Sequence, residues 1–596
     1  MKLTDYIADF FAKKGIDTAF GLTGGAVVHI FDSLDKHPKI KPIFCHHEQA
    51  ASFAAPAYSK VKQKPGLCIV TTGPGGTNAL TGVTGAWQES IPCFFISGQT
   101  RMEHSSRGKP VRQIGSQELD IVSIVDSVTN YAVLVKKPDD IRYELEKAFY
   151  YATQKGRPGP VWLDIPLDFQ WSDINPSKIR SYKIKKINYK TKKYNNNLKK
   201  CIKLVEASKR PLILLGQGVR LASAEKEFLK LLNKWSIPFI SSWGASDIVP
   251  TKDSLYVGRP GVAGQRGANL AMQNCDLLFA IGSHLSVALT GTLFHYFARE
   301  AKRIVVDIDQ NELDNETVKI NLPIRSDAKI FLKDILISKV KINNEVEKWK
   351  QKCSIYNSYN KVIPKNPKKL DKVSSYTFLD RLNGKLTNED IVVVDGGGTV
   401  VYTSFQSLEF KSGQRILYSS GIGAMGSGLS ESVGACIASG LGRTICLCGD
   451  GSMQLNIQEL ETIVHNNLPI KIFLFNNSGY LSIRGTQEGF LDSNYVGSTA
   501  EGGMSLPDFK KIAKAYGLPV FQIKNNSSLN KGLDLSLNKS GPTFCEVLML
   551  ENQEIEPSQG FKDNLDGTFS ATPLEDMKPF LDRDELEKLM IVKTIE

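Results

Sequence analysis

The sequence predicts an α/β protein built from three doubly wound, parallel-sheet domains. Three observations carry this. The chain has 596 residues, room for about three domains. Short apolar runs alternate with helical patterns along nearly all of it, the mark of parallel sheets with crossover helices. The best-formed unit, residues 444–479, reads as strand, tight turn, helix, strand. There Thr444-Ile445-Cys446-Leu447-Cys448 runs into Gly449-Asp450-Gly451. Leu455, Ile457, Leu460, Ile463 and Val464 then fall mostly on one helical face, Leu468-Pro469 breaks the pattern, and Ile470 to Phe475 ends in Asn476-Asn477. Ligands of such sheets bind beyond the carboxyl ends of the strands, where Asp450 and Asn477 stand.

Composition narrows the class. Hydrophobic residues make up 41% and charged residues 23%, as in ordinary globular proteins. The net charge of +12 is spread thinly; its densest tract is Lys183 to Lys200. Lying between two α/β patterns, that tract reads as a solvated linker and not as a nucleic-acid patch. The ten cysteines show no paired spacing, and Cys68, Cys93, Cys436, Cys446 and Cys448 sit inside apolar runs. They are expected to be buried, reduced thiols of a cytoplasmic protein, not a disulfide frame or a zinc site. Met1 to Asp5 opens directly into an amphipathic helix with no signal-peptide pattern. No apolar run reaches the roughly 20 residues that span a membrane.

In chain order, Ile7 and Phe11 mark a first helix closed by Gly15, and Thr18 to Gly21 a strand. Gly24-Gly25 starts the next helix. The strand Ile43-Phe44-Cys45 runs into His46-His47-Glu48-Gln49 and a helix of small residues, Ala50 to Tyr58. Taken alone, Glu48 is a carboxylate suited to a helix N-terminus. Leu67 to Thr72 forms a strand feeding Gly73-Pro74-Gly75-Gly76-Thr77-Asn78, which reads as a phosphate loop or a tight packing turn. Phe94 to Gly98 follows as a strand, and then Arg112 to Asp120 with Gln117.

A second α/β pattern has strands at Pro211 to Leu215, Pro238 to Ser242, Leu277 to Gly282 and Arg303 to Asp309. Gly216-Gln217-Gly218 with Arg220 fits a dinucleotide turn, although a GxG alone is weak evidence. Asp307 and Asp309 suit an adenosine edge or an ordinary strand end. In the third pattern, Ile391 to Val394 leads into Asp395-Gly396-Gly397-Gly398-Thr399, and Ser419 to Leu429 is a glycine-rich loop carrying Gly423 and Met425. Met425 taken alone is a core residue. Residues 485–501 have few apolar anchors and read as a mobile loop; the tail after Glu551 is polar and proline-dotted, placed to fold over an active centre. The expected domains are 1–180, 190–345 and 370–560, with a tail at 561–596.

The chemistry of the third pattern is the most specific. Asp450 is one hard carboxylate and Asn477 one amide oxygen; with a backbone carbonyl just beyond, they suit Mg²⁺, which takes an octahedral oxygen shell completed by phosphate and water. Gly449 and Gly451 allow a sharp turn, and the following helix offers N–H groups to a diphosphate. GDG followed by NN at this spacing resembles the thiamine diphosphate motif. From about residue 1 to 550 the chain resembles the acetolactate synthase and pyruvate oxidase group of thiamine diphosphate enzymes. The resemblance implies pyrimidine-binding, central and diphosphate-binding domains in that order, with Asp450, Asn477 and the Gly479 carbonyl on the metal. It implies that Glu48 meets the aminopyrimidine ring of the cofactor as a buried carboxyl of raised pKa, with His47 either at the active site or ordering Glu48. It places Thr72, Gly73, Asn78, Gly397, Gly398, Thr399, Gly423, Gly449, Gly451, Ser452 and Tyr480 along the cofactor, Met425 as the prop that bends it, and Gln117 in the active-site segment. Relatives bind FAD, an ADP-like group or nothing in the central domain. They place the cofactor between two chains, Glu48 from one and Asp450 from the other, in a homodimer or homotetramer.

Three departures bear on the substrate. Where acetolactate synthases carry a phenylalanine before the QE pair, this chain has Ser116. Where they carry an arginine thought to grip the acceptor keto acid, it has Ala288, and where they carry a tryptophan, Thr486. Loss of the guanidinium removes the paired donors suited to a carboxylate, and loss of two large rings leaves a wider, more polar pocket. The expectation is decarboxylation of a 2-keto acid such as pyruvate and transfer of its two-carbon unit to a bulkier, hydroxylated carbonyl acceptor, a nucleotide-linked keto-deoxy-sugar being one such type. The alternatives are acetolactate synthase proper, a 2-keto acid decarboxylase or lyase without ligation, and a non-catalytic subunit of the same fold.

Overall fold

A computed structural model describes residues 1–362, 371–563 and 569–595. It contains three six-stranded sheets, each with all its strands parallel. The first holds β1 (Thr18–Gly21), β2 (Lys41–Phe44), β3 (Gly66–Val70), β4 (Cys93–Gln99), β5 (Tyr131–Leu134) and β6 (Pro160–Pro166), in the order β2-β1-β3-β4-β6-β5. The second holds β7 (Pro211–Leu215), β8 (Phe239–Ser241), β9 (Tyr256–Gly258), β10 (Leu277–Ile281), β11 (Lys302–Asp307) and β12 (Leu322–Arg325), in the order β12-β11-β10-β7-β8-β9. The third holds β13 (Ile391–Val394), β14 (Arg415–Tyr418), β15 (Thr444–Gly449), β16 (Ile470–Asn476), β17 (Val520–Ile523) and β18 (Thr543–Leu548), in the order β14-β13-β15-β16-β18-β17. The first and third sheets thus share one topology. The second has the strand order of dinucleotide-binding domains.

Order decides where ligands can go. In each sheet the chain reverses its direction of winding between two neighbouring strands, opening a crevice beyond their carboxyl ends. In the first sheet these strands are β1 and β3, in the third β13 and β15. The loops there are those of Thr72 to Asn78, of Gly396 to Thr399 and of Gly449 to Ser452.

The central strands are buried along nearly their whole length and rich in Val, Ile, Leu, Phe and Cys, as strands covered by helices on both faces require. One core spans two domains. The helix Glu48–Lys62 packs along the helix Ser427–Ala438 so closely that a Cβ on Gly434 would fall 2.0 Å from the Ala54 carbonyl oxygen. Ala50, Ala54, Val433 and Cys436 lie in that shared core. All ten cysteines are free and buried. No helix of the described residues is long and apolar enough to cross a membrane.

Several expectations need correction. The second helix begins at Val28, not at Gly24-Gly25. The lysine tract is only half linker: Lys192–Ala207 is a helix that buries Tyr194, Cys201 and Val205. Residues 485–490 are not loop but the end of a helix, Leu481–Phe490. The helical pattern after Gly451 is broken into Asp450–Met453, a 3-10 turn and Glu459–His465, which leaves Leu455 half exposed. The tail, expected over an active centre, meets the helix Leu481–Phe490 where the Phe569 ring stands 5.3 Å from that of Phe490, and it also reaches the central domain, where Leu574, Leu586 and Leu589 join the core beside Trp349 and Tyr356.

Candidate functional site

The first half of the site stands on the first sheet. His47 caps the helix Glu48–Lys62 through its side chain, Nδ1 accepting from the Gln49 N–H at 3.0 Å. The cap fixes the start of the helix on which Glu48 is the first residue. Glu48 is 7% exposed, and its Oε2 accepts from Asn78 Nδ2 at 3.0 Å. Asn78 closes the short helix Pro74–Asn78 that follows β3. One strand over, Thr72 Oγ1 donates to Gln99 Oε1 at 3.1 Å, and Gln99 Nε2 donates to Asp164 Oδ2 at 2.8 Å. Burial pushes the Asp164 carboxyl up to about 7. Gln117, with φ +59°, presses its carbonyl on Gly73, where a Cβ would come within 2.5 Å of that oxygen. Sequence reasoning therefore named residues that do meet: Glu48 with Asn78, and Thr72 with Gly73 and Gln117.

The second half stands on the third sheet. Asp450 opens the helix Asp450–Met453 at the end of β15 and is 2% exposed. Its Oδ2 accepts from the backbone N–H of Asn477 at 3.0 Å and of Gly479 at 3.1 Å; its Oδ1 accepts from Gly451 at 2.7 Å. Even so, burial dominates and pushes the carboxyl up to about 6. The Tyr480 ring lies on Gly451, where a Cβ would sit 2.1 Å from Cε1. A Cβ on Gly397 would sit 2.3 Å from Ser452 Oγ and 3.6 Å from Met425 Cγ. Gly397, Met425, Gly451, Ser452 and Tyr480 thus line one crevice; Gly398 adjoins Ser482, and Thr399 is buried behind it. Gly449 ends β15 and Gly423 keeps its φ at +62°.

Asn477 supplies a direct test of the metal expectation. Its Oδ1 is buried and has no hydrogen-bond partner among the described residues. A buried amide oxygen left bare costs stability unless something satisfies it. Beside a buried carboxylate, a hard divalent cation does so. The donor set of Asp450, Asn477 and Gly479 therefore fits Mg²⁺.

Three residues at the site were given no role of their own in sequence reasoning. Arg484 donates to the Asn477 carbonyl at 2.9 Å and the Ser478 carbonyl at 3.1 Å, clamping the turn from inside a helix. Asp395, fully buried, accepts from Gly397 at 3.1 Å and Gly428 at 2.8 Å and ties two glycine loops together. An aspartate closing the apolar run Ile391 to Val394 was the available signal for it. Asn456 ties the first and third domains of one chain, donating to the Gly426 carbonyl at 3.0 Å and to Gln49 Oε1 at 3.1 Å.

The central-domain residues tell differently. The Gly218 N–H, which a diphosphate would need, donates to the Gly282 carbonyl at 2.9 Å. Arg220 donates to buried Asp247 at 2.6 Å, and Asp309 caps a helix by accepting from the Asn311 N–H. Asp307 accepts from the Asp309 N–H. Gly218 and Arg220, weighed as a dinucleotide turn, and Asp307 and Asp309, weighed as an adenosine edge or an ordinary strand end, are each engaged within the chain.

Comparison with known proteins agrees with the fold and with its order. Residues 1–124 match the thiamine pyrophosphate enzyme N-terminal TPP-binding domain, 198–335 the central domain and 396–547 the C-terminal TPP-binding domain. A probable acetolactate synthase large subunit of Methanococcus aeolicus is 32% identical over 566 residues, covering 91% of this chain and 90% of the relative. The acetolactate synthase large subunit of Buchnera aphidicola subsp. Acyrthosiphon pisum is 33% identical, covering 92% and 94%. A chloroplastic acetolactate synthase of Arabidopsis thaliana is 29% identical, covering 93% and 82%. The molecule is a thiamine diphosphate-dependent enzyme. Within that class, the chain belongs to the acetolactate synthase large-subunit family.

Proposed function

We propose that the enzyme decarboxylates a 2-keto acid, with pyruvate the first choice, and transfers the two-carbon unit to an acceptor carbonyl other than a small keto acid. The observation that carries the cofactor reading is the buried Asn477 Oδ1 beside Asp450, without a hydrogen-bond partner among the described residues. With Gly479 they would hold Mg²⁺, and the loops of Gly397 to Thr399 and of Gly449 to Ser452 would hold the diphosphate. When bound, thiamine diphosphate supplies the electron sink for decarboxylation. The protein supplies the rest. Glu48 holds or gives up a proton at a carboxyl oxygen, and Asn78, donating to Oε2, keeps that carboxyl from turning. Met425 shapes the crevice beside Gly397, and Gln117 stands against Gly73 and Thr72 on the first sheet's side. In this reading the cofactor lies between Glu48 of one chain and Asp450 of a second, so the working form is at least a homodimer. Ten reduced, buried cysteines support a cytoplasmic setting.

The acceptor reading rests on Ser116, Ala288 and Thr486, all exposed in the single chain. None offers a cation for a carboxylate, and all are small. A hydroxylated carbonyl compound, such as a nucleotide-linked keto-deoxy-sugar, suits such a pocket. A second reading, acetolactate synthase itself, is favoured by the names of the relatives above. The experiment that separates them supplies thiamine diphosphate, Mg²⁺ and pyruvate alone and quantifies CO₂ and acetolactate. Little acetolactate, with turnover restored by an added keto-sugar or aldehyde, supports the first reading. Abundant acetolactate establishes the second, and free acetaldehyde points to a decarboxylase without ligation.

A further inference from the structure

The loop of residues 419–426 carries Gly423 and Met425, and its small residues give it little stiffness of its own. Its far end is tied within its own domain: the Gly426 carbonyl accepts from Asn456 Nδ2 at 3.0 Å, and Gly428 donates to Asp395 at 2.8 Å. Its near end is tied to a different domain. The Gly421 N–H donates to Glu89 Oε1 at 3.1 Å. The other oxygen of that carboxylate, Oε2, lies 2.5 Å from Lys60 Nζ. Lys60 also donates to the Tyr418 carbonyl at 3.2 Å, just before the loop, and lies 3.8 Å from Glu431 Oε1. The side chains of Lys60, Glu89 and Glu431 are 9%, 4% and 6% exposed.

Two carboxylates and an ammonium buried together are a poor way to gain stability. Apolar side chains of similar volume usually serve as well or better, while a single deletion strands the remaining charges. What the cluster does supply is direction. Glu89 accepts from the loop with one oxygen and is gripped by Lys60 with the other. Gly421 has no room to escape it: a Cβ there would fall 2.9 Å from both Gln88 Cβ and Glu89 Cγ. Lys60 lies on the same helix, Glu48–Lys62, whose first residue is Glu48. We propose that Glu89, held by Lys60, is a positioning residue for the loop of residues 419–426 and sets where Gly423 and Met425 stand for the cofactor. The inference rests on the reading above that this loop lines the thiamine diphosphate site.

The test uses the full-length protein and calorimetric titration of thiamine diphosphate at saturating Mg²⁺, with the thermal midpoint of the free protein as the fold control. Glu89→Gln keeps an acceptor for Gly421 and should bind within about threefold of the parent. Glu89→Leu removes the acceptor, and Gly421→Ala pushes the loop off Glu89 without touching any charge. Both should weaken cofactor binding by about tenfold or more, roughly the worth of one charged hydrogen bond. A folded Glu89→Leu that binds like the parent would overturn the proposal. Should Glu89→Leu not fold, parent-like binding by Gly421→Ala would overturn it instead. If the parent protein takes up no thiamine diphosphate at all, the functional reading falls, and this inference with it.

Discussion

Asp450 and Asn477 show how much a single pair of oxygens can say. The carboxylate is buried, pushed up to about 6, and already accepts backbone N–H groups; the amide oxygen beside it accepts nothing among the described residues. Replacing Asn477 with Leu removes the bare oxygen at little cost in volume. We expect Asn477→Leu to fold with a thermal midpoint close to the parent's, yet to lose the added stability that Mg²⁺ and thiamine diphosphate give the parent. Differential scanning fluorimetry with and without the two ligands checks this. A second residue-scale prediction concerns pH. The Asp164 carboxyl rises from 3.8 to about 7 through burial, and Glu431 likewise rises to about 7. A raised carboxyl contributes its stability below its unfolded pKa and loses it as pH rises through the folded one. For Asp164 the whole change amounts to roughly 4 kcal/mol. Thermal midpoints should therefore fall between about pH 4 and 7 and level off above that, and Asp164→Asn should flatten that fall.

At the scale of elements, the strand-end turns were legible in advance and the helix Leu481–Phe490 was not. Asp450, Asn477, Gly397 and Gly451 follow apolar runs that can only be buried strands, so their place in a crevice follows from sheet geometry. The helix Leu481–Phe490 buries only Arg484 and Gln487, both polar, and so presents no apolar stripe to read. The tail's attachment to the central domain was not legible for a related reason. It is fastened by buried polar side chains: Arg266 donates to the carbonyls of Met577 at 3.2 Å and Pro579 at 2.6 Å, and Gln273 to Glu575 at 2.6 Å. Pairings of that kind have no periodicity and span some 300 residues of sequence. Arg266→Met should release the tail. Each lost charged hydrogen bond is worth about 1.5–3 kcal/mol, so we expect a lowered thermal midpoint and new protease cleavage after residue 560. Unchanged proteolysis would show that the apolar contacts of Leu574, Leu586 and Leu589 suffice.

At the scale of the whole molecule, two sheets of one topology come first and third in the chain with one of another between them, and the residues proposed to hold the cofactor stand at the equivalent strand ends of the matching pair. The domain count and order were readable from the sequence. The joints between domains were not, because they are built from charges far apart in the chain. Asp247, fully buried in the central domain, pairs with Arg220 at 2.6 Å and with Arg415 of the third sheet, and accepts from the Ile416 N–H at 2.9 Å. Asp247→Ala leaves two arginines facing each other and should cost about 3–5 kcal/mol, with calorimetry resolving separate unfolding steps where the parent shows one. The measurement that bears most directly on the whole account is CO₂ release from pyruvate by Glu48→Gln, alongside a calorimetric titration of the same variant with thiamine diphosphate and Mg²⁺. The account predicts a loss of about a hundredfold or more in decarboxylation, the scale of a removed acid–base group, with cofactor affinity nearly unchanged. Turnover equal to the parent's would contradict it.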